Sequence, residues 1–362
     1  MIKNILSKKI SLEKIQKVDV LIFGTEKLNF ASGIKVDYYT GNKIFLRYAI
    51  SFLFYYLIKK SFSKSLSIYE EYFYFMVRKY DCKVAVGDDR NFSVFKCKKL
   101  FPNTISIAYQ FGYWFPERKQ MGQELLKNVK TDYYLMFDNR TKKFSEEILK
   151  TNYIISGSVA ANEKEPIKHK KKYDFMFISS FRPESQSIDK INIRNTASFF
   201  LNSLSEYCET HNKNFCVAKV YSRLDKMHYS KSYHQKENNF IKNNAKKFHT
   251  ENIDSFELAE KSKVCICTHS NLGYQLLARG HKVLFLNSEK DLFIWHFIRQ
   301  ADGIFWYKGN DKKKILEKFD NLLKMENHEW LKIIKSSDIP MKFDNANSIL
   351  KQLVLKLLKE NK

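Results

Sequence analysis

A strand, a loop, a helix and a second strand are predicted by the stretch Val264-Cys-Ile-Cys-Thr-His-Ser-Asn-Leu-Gly-Tyr-Gln-Leu-Leu-Ala-Arg-Gly-His-Lys-Val-Leu-Phe-Leu286. Its apolar ends, 264–267 and 282–286, are typical of strands buried on both faces of a parallel sheet. The pattern between them predicts a helix over 272–279, followed by Gly280. Because two strands joined by a helix form the βαβ unit, this stretch predicts an α/β fold.

The alternation of apolar runs and helical stretches repeats along the rest of the chain. Runs typical of buried strands lie at 18–24, 83–87, 104–109, 132–137, 153–157, 173–179 and 215–220. The segment 161–172 is polar, densely charged and contains Pro166, which is typical of a linker. The sequence therefore predicts a domain at 1–160, a linker at 161–172, a domain at 173–340, and a lysine-rich helix at 341–362 expected to pack on the first domain.

The chain of 362 residues is strongly basic, with 63 Lys and Arg against 39 Asp and Glu and a formal net charge of +24. Such an excess attracts polyanions, among them nucleic acid, anionic lipid head groups and the diphosphate of a nucleotide sugar. The lysines are spread along the chain without a recognisable nucleic-acid-binding module, which disfavours a nucleic-acid-binding protein. The six cysteines are scattered without a C-x-x-C pair, so we expect buried, reduced thiols.

The sequence gives little sign of a membrane-spanning element. No apolar run reaches about 18 residues, and no signal-peptide pattern begins the chain, so we expect a cytoplasmic protein. The aromatic segment 47–60, which has basic residues at both ends, fits a helix buried in the first domain and also a helix at a membrane interface. Peripheral association with the inner membrane therefore stays open.

Polar residues follow the predicted strands of the second domain. In open α/β sheets, ligands bind at the carboxyl ends of strands, where helix N-termini favour anions. The small and hydroxyl-bearing residues after strand 264–267 are typical of a phosphate-binding turn, although Ser270 or Asn271 would equally cap the next helix. His269 fits either a phosphate contact or an ordinary loop position. The candidate donor-binding residues are Ser179, Arg182, Lys219, Arg223, Thr268, His269, Ser270, Asn271, Gly273, Tyr274 and Gln275.

The segment from Cys267 to Gly280 resembles the S-T-L-G-Y-E-A-L-A-R-G segment of the bacterial glycosyltransferases that build capsule and lipopolysaccharide. Three further blocks are similar: Asp88-Asp-Arg-Asn-Phe92, Phe101-Pro-Asn-Thr-Ile-Ser-Ile-Ala-Tyr-Gln-Phe-Gly112 and Phe177-Ile-Ser-Ser-Phe-Arg182. The resemblance covers roughly residues 80–290. It implies the GT-B fold, in which two Rossmann-like parallel-sheet domains face a central cleft, the C-terminal one holding the donor nucleotide and the N-terminal one the acceptor.

The resemblance also implies an activity, the transfer of a sugar from a UDP, GDP or CMP sugar to a growing surface polysaccharide. Hexosyl and ulosonic-acid transfer both stay open, and the acceptor is a glycan or glycolipid. The nucleotide sugar is a substrate, so no cofactor is expected; basic side chains and a helix N-terminus would stabilise the leaving phosphate without a metal. Gln275 stands where the family segment carries a glutamate, which leaves open another donor class or a binding-only descendant.

The first domain is expected to supply the acceptor site and, for an inverting transfer, a general base. The candidate bases are Asp88, Asp89 and Glu117, although the two aspartates would also cap the next helix. Because aromatic faces stack on sugar rings, the candidate acceptor residues are Gln110, Gly112, Tyr113 and Trp114.

Two other reactions on the same fold stay open. A polyol-phosphate transferase usually carries a histidine in its N-terminal loop, where this chain has Gln110-Phe-Gly112. A nucleotide-sugar epimerase would need more acid and base residues around the donor.

Overall fold

The computed structural model describes residues 9–24, 27–39, 43–60, 68–90, 92–112, 129–166, 169–181, 188–219, 231–288, 302–337 and 341–360. Contacts divide the chain into two compact units. Unit 1 comprises Met1–Glu163 together with Asp344–Lys362, and unit 2 comprises Lys164–Phe343. The first division thus lies within the charged segment 161–172, and the second lies close to position 340.

Strands and helices alternate through both units. The strands are β1 (Lys9–Ser11), β2 (Val20–Phe23), β3 (Val36–Tyr39), β4 (Lys43–Phe45), β5 (Val84–Asp88), β6 (Ile105–Tyr109), β7 (Tyr133–Met136), β8 (Asn152–Ile155), β9 (Tyr173–Ile178), β10 (Phe215–Ala218), β11 (Ser262–Cys267), β12 (Lys282–Asn287), β13 (Asp302–Gly303) and β14 (Trp306–Lys308). The helices are α1 (Leu46–Lys60), α2 (Ile68–Tyr80), α3 (Ser93–Leu100), α4 (Asn139–Glu146), α5 (Val159–Asn162), α6 (Ile188–Thr210), α7 (Lys231–Asn244), α8 (Ser255–Glu260), α9 (Asn271–Ala278), α10 (Lys312–Lys324), α11 (Asn327–Ser336) and α12 (Ser348–Glu360).

Unit 1 is built on a parallel sheet with the strand order β3-β2-β5-β6-β7-β8, and β1 pairs separately with β4. Successive residues of a strand face opposite sides of the sheet. Leu21 and Phe23 accordingly lie in one core cluster, and Val20 and Ile22 in another. Helix α12 packs into the second cluster through Leu350, Val354 and Leu357. The C-terminal segment therefore completes the core of the first unit.

Unit 2 is built on a second sheet with the order β10-β9-β11-β12-β14-β13. All neighbouring strands are parallel except β13, which is antiparallel to β14. The central strands read as continuous apolar runs because both of their faces are covered. With one Rossmann-like sheet in each unit, the α/β class predicted from the sequence is confirmed.

Two further findings concern the cysteines and the apolar character of the helices. Each of the six cysteines is a free, buried thiol. Within the described ranges, no helix combines the length and the apolar character needed to cross a membrane.

Candidate functional site

The carboxyl ends of three neighbouring strands of unit 2 bring polar side chains together. Strands β9, β11 and β12 are adjacent in the sheet, and Ser179, Ser180, Thr268 and His269 follow the first two. The hydroxyl oxygens of Ser180 and Thr268 lie 2.6 Å apart. His269 Nε2 lies 3.4 Å from the side-chain nitrogen of Asn287, the last residue of β12. These contacts join the three strand ends into one polar group, which we call the strand-end cluster (Ser179, Ser180, Thr268, His269 and Asn287).

Helix α9 begins directly after this cluster. Ser270 is its N-cap: the backbone is extended and Ser270 Oγ accepts a hydrogen bond from the N–H of Leu272 at 3.2 Å. A hydroxyl that accepts one bond still has a proton to donate, so capping leaves room for an anion contact. Asn271 is the first helical residue. The positive end of the α9 dipole and the first N–H groups of the helix therefore lie next to the strand-end cluster.

Three predicted donor residues of α9 are core positions. A Cβ at Gly273 would lie 2.5 Å from Cys267 Sγ and 2.8 Å from Phe285 Cε1, so the glycine lets the helix approach the sheet closely. The side chain of Tyr274 is fully buried, with its ring 5.4 Å from that of Phe285. Gln275 is 3% exposed. Gly273 and Tyr274 therefore have packing roles, and their contact with the donor stays a prediction.

A charged pair adjoins the cluster at β9 and β10. Lys219 follows β10 and is partly buried; burial lowers the pKa of its ammonium group, while the nearby Glu237 raises it. Glu237 lies on α7, is 1% exposed and accepts a 2.6 Å hydrogen bond from Ser179 Oγ. Sequence reasoning missed Glu237 because α7 is rich in polar residues and gives no signal of which one is buried. Its carboxylate fixes the hydroxyl of Ser179 at the end of β9.

In unit 1, Asp88 and Asp89 are both buried at the carboxyl end of β5. The two oxygens of Asp89 accept hydrogen bonds from the N–H of Phe111 at 3.1 Å and from the hydroxyl of Tyr134 at 2.8 Å. Asp88 accepts from the N–H of Arg90 at 3.0 Å. Asp89 therefore links the end of β5 to the loop after β6 and to Tyr134 of β7, and Asp88 holds the backbone of Arg90.

The loop after β6 holds Gln110 and Gly112, two of the predicted acceptor residues. Gln110 is buried; its Nε2 donates to the carbonyl of Gly112 at 2.9 Å, and its Oε1 accepts from the N–H of Phe137 at 2.9 Å. The amide of Gln110 thus shapes the loop. Sequence reasoning missed Arg90, whose guanidinium lies over the ring of Phe111 and is 58% exposed. Arg90 places a positive charge beside this loop.

Five predicted site residues lie outside the described residues: Tyr113, Trp114, Glu117, Arg182 and Arg223. In the part of the chain that the structure covers, no three His, Cys, Asp or Glu side chains are grouped so that they could hold a metal ion.

Comparison with known proteins gives one family match. A family model described as "putative O-antigen biosynthesis protein" matches residues 111–361, more than half of the chain. No curated protein matches the sequence.

Solved structures share the fold at low sequence identity. The UDP-GlcNAc 2-epimerase of Neisseria meningitidis, solved with UDP-GlcNAc, is 11% identical with a TM-score of 0.55, over 93% of this chain and 99% of that chain. The UDP-GlcNAc 2-epimerase of Methanocaldococcus jannaschii is 10% identical with a TM-score of 0.53, over 94% and 100%. A glycosyltransferase of Rickettsia africae is 13% identical over 95% and 99%, with a TM-score of only 0.46. The two epimerases establish similarity of fold across nearly the whole chain.

Proposed function

Because the chain belongs to the O-antigen biosynthesis family, we propose that it is a glycosyltransferase of surface-polysaccharide assembly. It moves a sugar from a nucleotide-sugar donor to a growing chain of the lipopolysaccharide or capsule type. The observation that carries the proposal is the start of α9 beside the strand-end cluster, at the carboxyl ends of β9, β11 and β12. In open α/β sheets this is the place where nucleotide phosphates bind.

The groups at this place suit a phosphate. The first N–H groups of α9 are donors, and the helix dipole adds roughly half a positive charge at that end. The hydroxyls of Ser180 and Thr268 share one hydrogen bond, so one of the two keeps a proton that it can donate to a ligand. Lys219 adds a cation after β10. In the proposal these groups hold the diphosphate of a UDP or GDP sugar, or the monophosphate of a CMP sugar.

The same groups would assist the transfer. The acceptor hydroxyl oxygen forms a bond to the anomeric carbon, and the bond from that carbon to the phosphate oxygen breaks. Negative charge grows on the departing phosphate, so the α9 N-terminus and Lys219 stabilise the transition state more than the bound donor. The acceptor hydroxyl gives its proton to a base, for which Asp88 is our candidate in an inverting reaction. The proposal needs no metal ion or further cofactor.

The acceptor in this proposal is a glycan or glycolipid, and the protein works at the cytoplasmic side of the inner membrane. Peripheral attachment to that membrane is part of the proposal. What supports it is an exposed apolar face of α1 in unit 1.

Nucleotide binding tests the site directly. Isothermal titration of the full chain with UDP, GDP and CMP is expected to select one nucleotide. Ser270→Ala should weaken binding of that nucleotide about 10- to 150-fold, because a hydrogen bond to a charged group contributes roughly 1.5–3 kcal/mol. Ser158→Ala is the matched control, since Ser158 caps α5 in unit 1 in the same way. Equal losses in the two variants would contradict the site, and the absence of binding by any nucleotide would overturn the proposal.

The reaction is tested with the nucleotide sugar of the selected class. Nuclear magnetic resonance should show release of the nucleotide that depends on added acceptor glycan. Since two solved structures of similar fold are UDP-GlcNAc 2-epimerases, UDP-GlcNAc alone is followed in the same assay. Formation of its 2-epimer without sugar transfer would replace the glycosyltransferase proposal with an epimerase.

A further inference from the structure

Helix α1 carries a continuous apolar face that is exposed to solvent. We call this set the α1 stripe: Ile50, Leu53, Phe54, Leu57 and Ile58, with exposed fractions between 53% and 67%. Their spacing of three residues and one residue in alternation places them along one side of an α-helix. Eight large apolar side chains are exposed among the described residues, and five of these form the stripe. Apolar exposure is thus concentrated on one element, as at a binding surface.

The opposite side of α1 packs into the core of unit 1. Phe52 is 6% exposed, and its ring centre lies 5.0 Å from that of Tyr72 and 5.6 Å from that of Phe75. Tyr55 and Tyr56 pack against the same core cluster. The helix is therefore held by the folded unit, which presents the stripe as a fixed surface.

The sequence around the stripe is basic. Residues 38–69 contain no Asp or Glu, but they contain Lys43, Arg47, Lys59, Lys60 and Lys64. Arg47 belongs to the first turn of α1, and Lys59 and Lys60 end its last turn. An apolar face with basic residues at both ends complements a bilayer whose head groups are anionic, because acyl chains meet the apolar side chains and phosphates meet the cations.

We propose that the α1 stripe docks unit 1 onto an anionic lipid bilayer, with α1 lying in the plane of the interface. At 1.5 Å per residue, the 15 residues of α1 span about 22 Å, which is less than the roughly 30 Å of the hydrocarbon core. The helix therefore lies on the bilayer and does not cross it. This inference rests on the membrane attachment in the proposed function and names its surface and its lipid class; its test uses no nucleotide sugar, so its failure would be distinct from a failure of sugar transfer.

A second copy of the chain fits the stripe less well. A symmetric dimer through this face would bring one α1 helix against another. In an antiparallel pairing, Arg47 of one copy would approach Lys59 and Lys60 of the other, with no carboxylate in residues 38–69 to neutralise them. Like charges that meet across an interface are unfavourable. An anionic bilayer would instead attract these basic residues.

The test is co-sedimentation of the full chain with large vesicles in the absence of any nucleotide sugar. The vesicles consist of phosphatidylcholine alone or of phosphatidylcholine mixed with phosphatidylglycerol. The natural chain should bind the mixed vesicles more strongly, and added salt should weaken that binding. Leu53→Glu/Leu57→Glu should lower the partition coefficient about 100-fold, since two apolar side chains no longer enter the bilayer. Lys59→Ala/Lys60→Ala should lower binding to the mixed vesicles about 10- to 30-fold and leave binding to phosphatidylcholine unchanged.

The control is Leu12→Glu, which places the same charge at another exposed leucine of unit 1, 75% exposed and outside the stripe. It should bind vesicles like the natural chain. Circular dichroism of each variant checks that the fold is retained, which is expected for the leucine variants because Leu12, Leu53 and Leu57 are exposed. Vesicle binding by the stripe variant equal to that of the control would overturn the proposal. A natural chain that does not bind mixed vesicles would also overturn the proposal. If analytical ultracentrifugation then finds a dimer that Leu53→Glu/Leu57→Glu dissociates, the stripe is an interface between two copies of the chain.

Discussion

Gly273→Ala is expected to destabilise unit 2 by pushing α9 away from its sheet. The added carbon would lie 2.5 Å from Cys267 Sγ and 2.8 Å from Phe285 Cε1, about 1 Å inside the usual contact distance of roughly 3.5–4.0 Å. Both neighbours are fully buried, so neither side chain can move into solvent. Overpacking a core costs about 1–3 kcal/mol, and the better helix propensity of alanine offsets about 1 kcal/mol. Three contacts under 3.0 Å place the cost at the upper end of that range, so the net loss should be about 2 kcal/mol, with weaker nucleotide binding as the helix start moves.

Urea unfolding followed by circular dichroism measures this loss as a lower midpoint for the transition of unit 2, and titration with the selected nucleotide measures the affinity. Cys267→Ala provides the background control, because it removes the sulfur that the new carbon meets first. Gly273→Ala should therefore cost less in that background than in the natural chain. Unchanged stability together with unchanged nucleotide affinity would refute the role of close packing between α9 and the sheet.

Two further predictions concern carboxylates. Asp89→Ala removes the acceptor of Phe111 N–H and of the Tyr134 hydroxyl, so thermal unfolding should show a loss of about 2–4 kcal/mol in the free energy of unfolding. Tyr134→Phe removes one of these two hydrogen bonds and should lose only about 1 kcal/mol. Similar losses in the two variants would contradict the pair of hydrogen bonds to Asp89. The hydrogen bond from Lys172 lowers the pKa of Glu251 to about 2 from its ordinary 4.5, so Glu251 stabilises the fold above pH 4.5 and loses this effect as the pH falls towards 2. Urea midpoints measured across that range should fall less steeply for Glu251→Gln, and parallel curves would refute the assignment.

The buried strands of both sheets could be predicted from the sequence. The predicted runs 83–87, 173–179 and 264–267 agree with β5, β9 and β11 to within two residues. A strand covered on both faces is a continuous apolar run, which leaves a signal in the chain itself. The edge strand β3 and the short β14 left no such signal, because β3 is only half-buried and β14 has three residues. Their pairing depends on neighbours that the fold brings alongside.

The site was predictable at the level of loops and less so at the level of side chains. Strand order places the loops after β9 and β11 at one edge, so Ser179, Thr268 and Ser270 could be expected there. The sequence does not tell which polar groups are used within the loops. Gln110 bonds a backbone N–H that lies 27 positions away, and Glu237 bonds a serine that lies 58 positions away. Such partners become neighbours only in the folded unit.

The adjacent pair Asp88 and Asp89 illustrates how the fold separates roles that the sequence leaves equal. Both oxygens of Asp89 accept hydrogen bonds, one from Phe111 N–H in the loop after β6 and one from the Tyr134 hydroxyl of β7, so a proton taken up by Asp89 would compete with one of those bonds. Asp88 is the last residue of β5, and its Oδ2 would lie 3.7 Å from a Cβ at Gly24, at the end of the neighbouring strand β2. A side chain at Gly24 would thus contact the carboxylate of Asp88. In the proposed transfer, Asp88 is therefore the candidate base, because the two oxygens of Asp89 already hold the loop after β6 and Tyr134 in position.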